Sequence, residues 1–264
     1  MDELTLRGNT KGKAVAQRCP YARAFTDIES LAIDNELVRL FKNDEIDLAT
    51  ITYVTLLKAT GRRPIQLSHL KAKDIQKTIK QNPLTKLEEY RFLLAIPRAK
   101  QRGGSFRSEL ASIEISEELY LTLYNLIQQN QAAVNKILTN EIDWEVMPDA
   151  GELPLFVDLS FVIHFNARSE VNLALWQKDV LHTSTKHLWA MLKSFYRAQR
   201  AVSERTGDII QINARRFRRT IGSKMGQQGH TAHVIAKRLD QSDTQNVMVY
   251  VENTVHTPIT LFAK

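Results

Sequence analysis

Four arginines fall within the five positions from Arg215 to Arg219, inside the stretch NARRFRRTIGSKMGQQG (residues 213–229). Guanidinium stays charged under all ordinary conditions and can bind phosphate oxygens in pairs. Three roles fit such a cluster: a solvated basic face, a nonspecific nucleic-acid patch, or a phosphate-gripping active site. A second pair, Arg62–Arg63, follows Thr60-Gly61, and this turn lacks the Gly and Lys pattern of a nucleotide-binding loop. His230 and His233 stand at helical spacing, but no carboxylate or cysteine lies at a typical ligand distance, so no metal is expected. Trp144, Trp176 and Trp189 read most simply as core or packing residues.

The elements that must position these groups are legible as periodicity and punctuation. Residues 1–24 are basic, carry RGNTKGK, and read as an extended arm or linker. A helix opens at Thr26, a plausible N-cap with Glu29 three residues later. A second runs through DEIDLATITYVTLLKATG, with acids at its start and Gly61 at its end. Pro64 suits the first position of a third, through PIQLSHLKAKDI. YRFLLAIPRAK and SFRSELASIEIS are strand-like runs around the QRGG turn, a hairpin. A long helix follows around EELYLTLYNLIQQNQAAVNKIL, then an irregular connection over 140–182. STKHLWAMLKSFYRAQRAV is again amphipathic and helical. From the arginine cluster to about residue 253, short helices are separated at Gly229 and near Asp240. The fold class expected is α+β, mostly helical, with a small antiparallel sheet.

Composition bounds the partners. At 264 residues the chain can bury a substantial core. Its 36 Lys and Arg against 29 Asp and Glu leave a net charge of +7, which favours a polyanionic partner. The single Cys19 excludes an internal disulfide framework and fits a reducing, cytoplasmic setting. No apolar run is long enough to span a bilayer, and the start does not resemble a signal peptide.

From the arginine cluster onward the chain resembles the carboxy-terminal signature of tyrosine recombinases, or phage integrases. That signature is H-x-x-R-H-T, a helix, Gly, a helix, L-G-H, and a nucleophilic Tyr. Arg218-Arg219-Thr220 occupies the R-H-T place, Gly229 the inter-helix glycine, Leu239-Asp240-Gln241 the L-G-H place, and Tyr250 the nucleophile. Gln241 precedes Tyr250 by nine positions and Arg218 precedes it by thirty-two, both as in the family. Upstream, Thr60-Gly61-Arg62-Arg63-Pro64-Ile65-Gln66-Leu67 matches the first arginine box, T-G-x-R-x-x-E-L, with Gln66 where an acid is usual. Lys100, at the end of the first hairpin strand, takes the place of the family's catalytic lysine. The resemblance covers residues 25–255 or so, and implies an arm or linker over 1–24 and a catalytic domain with a C-terminal tail over 25–264.

The resemblance implies a site-specific DNA recombinase that cuts and rejoins duplex DNA through a 3′-phosphotyrosyl intermediate. Bond energy is conserved in that link, so no cofactor is required. Arg63 and Arg218 would clamp the nonbridging oxygens electrostatically. Lys100 would protonate the leaving oxygen, and Tyr250 would attack. Arg62, Arg102, Arg216 and Arg219 would contact DNA around the reacting phosphate. Two positions depart from the signature: Arg215 and Gln241 replace histidines, so neither supplies an imidazole. Arginine can still donate to phosphate, and glutamine can donate but cannot act as an acid or base. The family works as a tetramer on paired sites with carboxy-terminal segments exchanged, and NTVHTPITLFAK after Tyr250 suits such a segment. Members usually carry an added amino-terminal helical domain, so this chain reads as a fragment or short form. The alternative is a catalytically silent DNA-binding protein retaining the fold. A topoisomerase of the same chemistry fits less well, because the tyrosine spacing suits integrases.

Overall fold

The structure, a computed structural model, describes residues 19–82, 84, 86–99, 107–138, 150–168, 170–171, 173–241, 247–248 and 250. The chain forms two compact units, one made of residues up to Asp34 and from Arg200 onward, the other of Asn35–Gln199. Helix α1 (Asp27–Lys42) contributes its first turns to one unit and its remainder to the other.

In the unit Asn35–Gln199, α2 (Leu48–Thr60) starts at Asp47, whose carboxylate accepts the Thr50 N–H at 2.7 Å. It ends at Gly61, which takes a left-handed φ of 60° and donates its N–H to Leu57 O at 3.0 Å. Between those caps it buries Tyr53, Val54, Leu56 and Leu57. Helix α3 (Pro64–Ser68) is shorter than the sequence suggests, stopping before HLKAKDI. The physical reason is a diversion of donors. The Lys71 N–H goes to the Asp74 carboxylate at 2.7 Å, and the Ala72 N–H to Leu153 O at 2.9 Å. A helix continuing through 72 would need those same groups for its own ladder.

A 3₁₀ turn then leads into β1 (Ile75–Gln81), a strand the periodicity does not announce. After Ile75 every residue of β1 is exposed, so it lacks the apolar alternation that marks a half-buried strand. It pairs antiparallel with β2 (Glu88–Pro97), and β2 pairs antiparallel with β3 (Leu110–Ile115), giving the order β1-β2-β3. The expected hairpin is the β2–β3 pair. Phe92, Leu94 and Ile96 turn the inner half of β2 into the core. The Phe92 ring meets Tyr120 of α4 (Glu117–Leu138) at 4.7 Å, a helix that buries Leu119, Leu123 and Leu126.

The region read as irregular holds two short helices, α5 (Leu159–Asn166) and α6 (Leu173–Gln177). Lys71, only 1% exposed, pins it: its ammonium pairs with Glu152 at 2.8 Å and donates to Trp176 O at 3.0 Å. Helix α7 (Thr185–Ala198), capped by Ser184, buries Leu188, Leu192 and Phe195. Trp176 is buried, as expected of a packing residue, but Trp189 is not: it is 58% exposed, with the Lys193 ammonium 4.7 Å over its ring. Trp144 lies outside the described residues.

The other unit is built on α8 (Ala214–Gln227) and α9 (Ala232–Arg238). Gly229 joins them at a φ of 80°, the left-handed conformation that favours glycine. Val247, Met248 and Tyr250 belong to a further helical segment. The expected capping box at the start of α1 forms: Glu29 N–H donates to Thr26 Oγ1 at 3.0 Å, and Thr26 N–H to Glu29 Oε2 at 3.3 Å. Among the described residues, no helix is long and apolar enough to cross a membrane.

Candidate active site

Helix α8 carries four of the candidate groups, Arg215, Arg216, Arg218 and Arg219, and separates them by the rotation of about 100° that each residue adds. Asn213 caps it, its side chain accepting the Arg216 N–H at 3.0 Å. Arg216, Thr220 and Lys224 form one stripe at spacing i, i+4, i+8, and each is fastened to the segment that opens α1. The Thr220 hydroxyl accepts the Phe25 N–H at 2.9 Å, and Lys224 pairs with Asp27 at 2.7 Å. Arg219, half-buried at the border of this stripe, donates to Ala22 O. Arg215, Arg218 and Gly222, at i, i+3, i+7, form the other stripe. Arg215 is exposed and Arg218 half-buried.

Tyr250 sits on that second stripe. Its ring lies so close to Gly222 that a Cβ there would stand 2.8 Å from Cε2, so only glycine allows this seat. The ring is 7% exposed and packs among Ile235, Ala236, Leu239 and Val247. Burial pushes the Tyr250 phenol above its ordinary value, and the charges of Arg218 and Arg219 act the opposite way. Arg218 and Tyr250, far apart in sequence, are therefore neighbours in one electrostatic environment.

Gln241 follows α9. Its N–H donates to Ala236 O at 2.8 Å, and its side-chain Oε1 is buried with no hydrogen-bond partner among the described residues. Just before it, Asp240 adopts a φ of 49°, in the place where the recombinase signature has glycine. Aspartate is one of the few other residues to visit that conformation readily. Aspartate thus holds the left-handed turn at this position. His230 and His233 are exposed, and no cluster of potential metal ligands occurs among the described residues.

Arg63 belongs to the unit Asn35–Gln199, where it occupies the N-cap of α3 with Pro64 at the first helical position. Its N–H donates to Gln66 Oε1 at 3.1 Å, while Gln66 Nε2 donates to Pro97 O at 2.7 Å. A carboxylate could accept the first of these bonds but could not donate the second. The amide at this usually acidic position thus ties the Arg63 turn to the end of β2. Beyond Pro97, Arg98 and Glu109 close the hairpin stem with an ion pair of 2.8 Å. Arg107 grips Asp74 with two bonds of 2.9 and 2.6 Å. Lys100 and Arg102 lie outside the described residues.

Two expected DNA contacts are corrected. Arg62 is 2% exposed and Arg216 is 1% exposed, so neither guanidinium is available to a ligand at the surface. Arg216 has an interior partner instead: Nη2 meets the buried Glu29 carboxylate at 3.0 Å, and the guanidinium lies 4.1 Å over the Phe25 ring. Glu29 also holds Arg205 and the Ser203 hydroxyl. Sequence reasoning found Glu29 only as a capping residue. The remaining signal was an acid beginning a helix far from any visible partner, which does not identify an arginine 187 positions away.

No protein-family model matches the sequence, and no curated protein matches it. Solved structures are similar in fold. The XerH site-specific recombinase bound to difH substrate, a pre-cleavage complex, is 13% identical, with a TM-score of 0.50 over 88% of this chain and 52% of that one. XerA recombinase is 13% identical, with a TM-score of 0.49 over 87% and 58% respectively. The Tn1549 transposon integrase in complex with circular intermediate DNA is 13% identical, with a TM-score of 0.44 over 86% and 61%. The chain spans little more than half the length of the structures it matches. Three antiparallel strands beside a mostly helical body agree with the XerH likeness: the chain has the tyrosine-recombinase catalytic-domain fold.

Proposed function

We propose that this chain is the catalytic part of a site-specific DNA recombinase or integrase, cleaving and religating duplex DNA through a 3′-phosphotyrosyl intermediate. The observation that carries this reading is the second stripe of α8, where Arg215 and Arg218 share a helix face with the glycine seat of Tyr250. In the proposed chemistry the Tyr250 oxygen attacks phosphorus, the Tyr250 proton is lost, and the 5′-oxygen leaves as a hydroxyl. Arg218 and Arg63 stabilise the charge that gathers on the nonbridging oxygens, and Arg215 adds a donor. Lys100 protonates the leaving oxygen, and Gln241 donates a hydrogen bond to the phosphate. Arg219 and Arg102 contact the DNA backbone. Duplex DNA is the partner, four copies assemble on paired sites, and residues 25–264 act as one catalytic domain within the cytoplasm.

A second reading, a DNA-binding protein without catalysis, is favoured by one observation: Gln241 cannot take part in acid–base chemistry where the signature has histidine. A suicide duplex, nicked so that the cleaved end diffuses away, separates the two. Denaturing gels should show a covalent protein–DNA band that disappears in Tyr250→Phe while duplex affinity survives. Binding without any such band establishes the second reading. Affinity should fall steeply with salt in either case.

A further inference from the structure

Arg216 is a poor choice for stability alone. Burying an ion pair costs desolvation that its attraction only partly returns, and apolar residues of similar size often serve as well. Here the charge is buried on both sides, at 1% exposure for Arg216 and 0% for Glu29. What the guanidinium adds is direction. Nε donates to Arg23 O at 2.9 Å, Nη1 to Gln211 O at 2.6 Å, and Nη2 to Pro20 O at 3.3 Å as well as to Glu29. A planar fork with bonds on three nitrogens tolerates little rotation about the helix axis. An apolar side chain would tolerate much more.

The rotation of α8 matters because the candidate groups stand on its other stripe. A side chain reaches roughly 5–6 Å from the helix axis, so a turn of about 10° moves its tip by about 1 Å. A misplacement of that size in a reacting site costs on the order of 100-fold in rate.

We propose that Glu29 and Arg216 are positioning residues: their buried pair sets the rotation of α8 and thereby aims Arg215 and Arg218 and seats Tyr250. This rests on the recombinase reading above. Neither residue touches the DNA; both act through the helix. A second anchor supports the assignment, since Arg205 also holds Glu29, and the loop preceding α8 is bound to the same carboxylate.

The test compares the parent chain with two variants, Arg216→Lys and the paired apolar exchange Glu29→Leu with Arg216→Met. Three quantities are read: the melting temperature, duplex affinity, and the single-turnover cleavage rate on saturating suicide duplex. The paired exchange should melt within a few degrees of the parent and bind duplex within about 2-fold, yet cleave at least about 30-fold more slowly. Arg216→Lys, which keeps the charge and loses the fork, should fold and bind normally and cleave about 10-fold more slowly. If the paired exchange does not fold, Arg216→Lys decides alone. Parental cleavage in a folded variant overturns the positioning role while leaving the recombinase reading intact. A parent that forms no covalent complex removes the recombinase reading, and the positioning role with it.

Discussion

In the turn Thr60–Arg63, Arg62 is buried and Arg63 is half-buried; on α8, Arg216 is buried while Arg215 is exposed and Arg218 half-buried. Both arginine runs thus place one guanidinium inside and leave its neighbour toward the surface. The chemistry of the anchoring differs. Arg216 is neutralised by a carboxylate, and burial still lowers its pKa to about 10. The Arg63 turn is tied down through a glutamine that accepts on one side and donates on the other. The comparison teaches that a run of arginines overstates the positive surface, because adjacent residues on a helix or across a tight turn face different surroundings.

The largest effects should come from separating the two members of each run. Arg63→Ala or Arg218→Ala should slow covalent-complex formation by on the order of 100- to 1000-fold with the melting temperature nearly unchanged. Arg216→Ala should do the opposite at the level of folding, removing about 3–5 kcal/mol by leaving Glu29 buried with one partner fewer. Arg62→Ala should likewise lower the melting temperature. Chemical denaturation beside suicide-duplex trapping reads both axes. An Arg216→Ala that keeps the parental stability, or an unstable Arg63→Ala, would break the division of roles.

Gln66→Glu probes the glutamine anchor and should have the next largest effect. A carboxylate at 0% exposure would face Pro97 O without a proton to share, costing about 3 kcal/mol or more near neutral pH. The loss should shrink in acid, where the introduced carboxyl, once protonated, can donate to that carbonyl. Urea denaturation at pH 4 and pH 7 measures the difference, and equal losses at both would show that the donated bond is unimportant.

How much of this arrangement was readable in advance follows the range of the interactions. The Thr26–Glu29 box, the Gly61 stop, the Pro64 start and the Gly229 junction are local, and each is where residue chemistry puts it. The α8 register that aligns Arg215, Arg218 and the tyrosine seat follows from helical spacing. Strand β1 was not readable because it is an exposed edge without alternation. The burial of Arg216 was not readable because its partner Glu29 lies 187 positions away. The burial of Arg62 and the exposure of Trp189 were not readable because tertiary packing sets them. Charge and aromaticity describe a side chain, whereas burial describes its surroundings.

Gly222→Ala sharpens the comparison on the α8 side at smaller cost. The new methyl must displace the Tyr250 ring, an overpacking penalty of about 1–3 kcal/mol. A phenol whose folded pKa is raised stabilises the fold below about pH 10 and loses that contribution as pH climbs beyond it. Displacing the ring into water should lower the phenol toward its ordinary value and reduce the alkaline loss of stability. Difference spectra of phenolate formation, compared with Tyr250→Phe to assign the signal, give the direction. An unchanged titration in Gly222→Ala would mean that the seat adapts rather than selecting glycine.

The smallest expected effect is an absence in the pH–rate profile. A histidine in the reacting set would titrate near pH 6.5 when unperturbed. Arg215 and Gln241 carry no imidazole, and the Gln241 amide does not titrate. Tyr250 is raised by burial, so its protonated form dominates through neutrality, and any demand for the phenolate makes the rate climb smoothly with pH. Single-turnover cleavage should therefore show no imidazole-like inflection between about pH 6 and 7.5. Gln241→His should introduce one if position 241 meets the phosphate, with a shift in rate of only a few-fold. His69 offers a contrast within the same chain. Burial lowers its pKa, and its ring stacks on His182 at 5.3 Å, in the unit Asn35–Gln199. An inflection near pH 6.5 in the parent would mean that a histidine outside the α8 stripe takes part in the step. The assignment of acid–base work to Lys100 and Tyr250 would then be wrong.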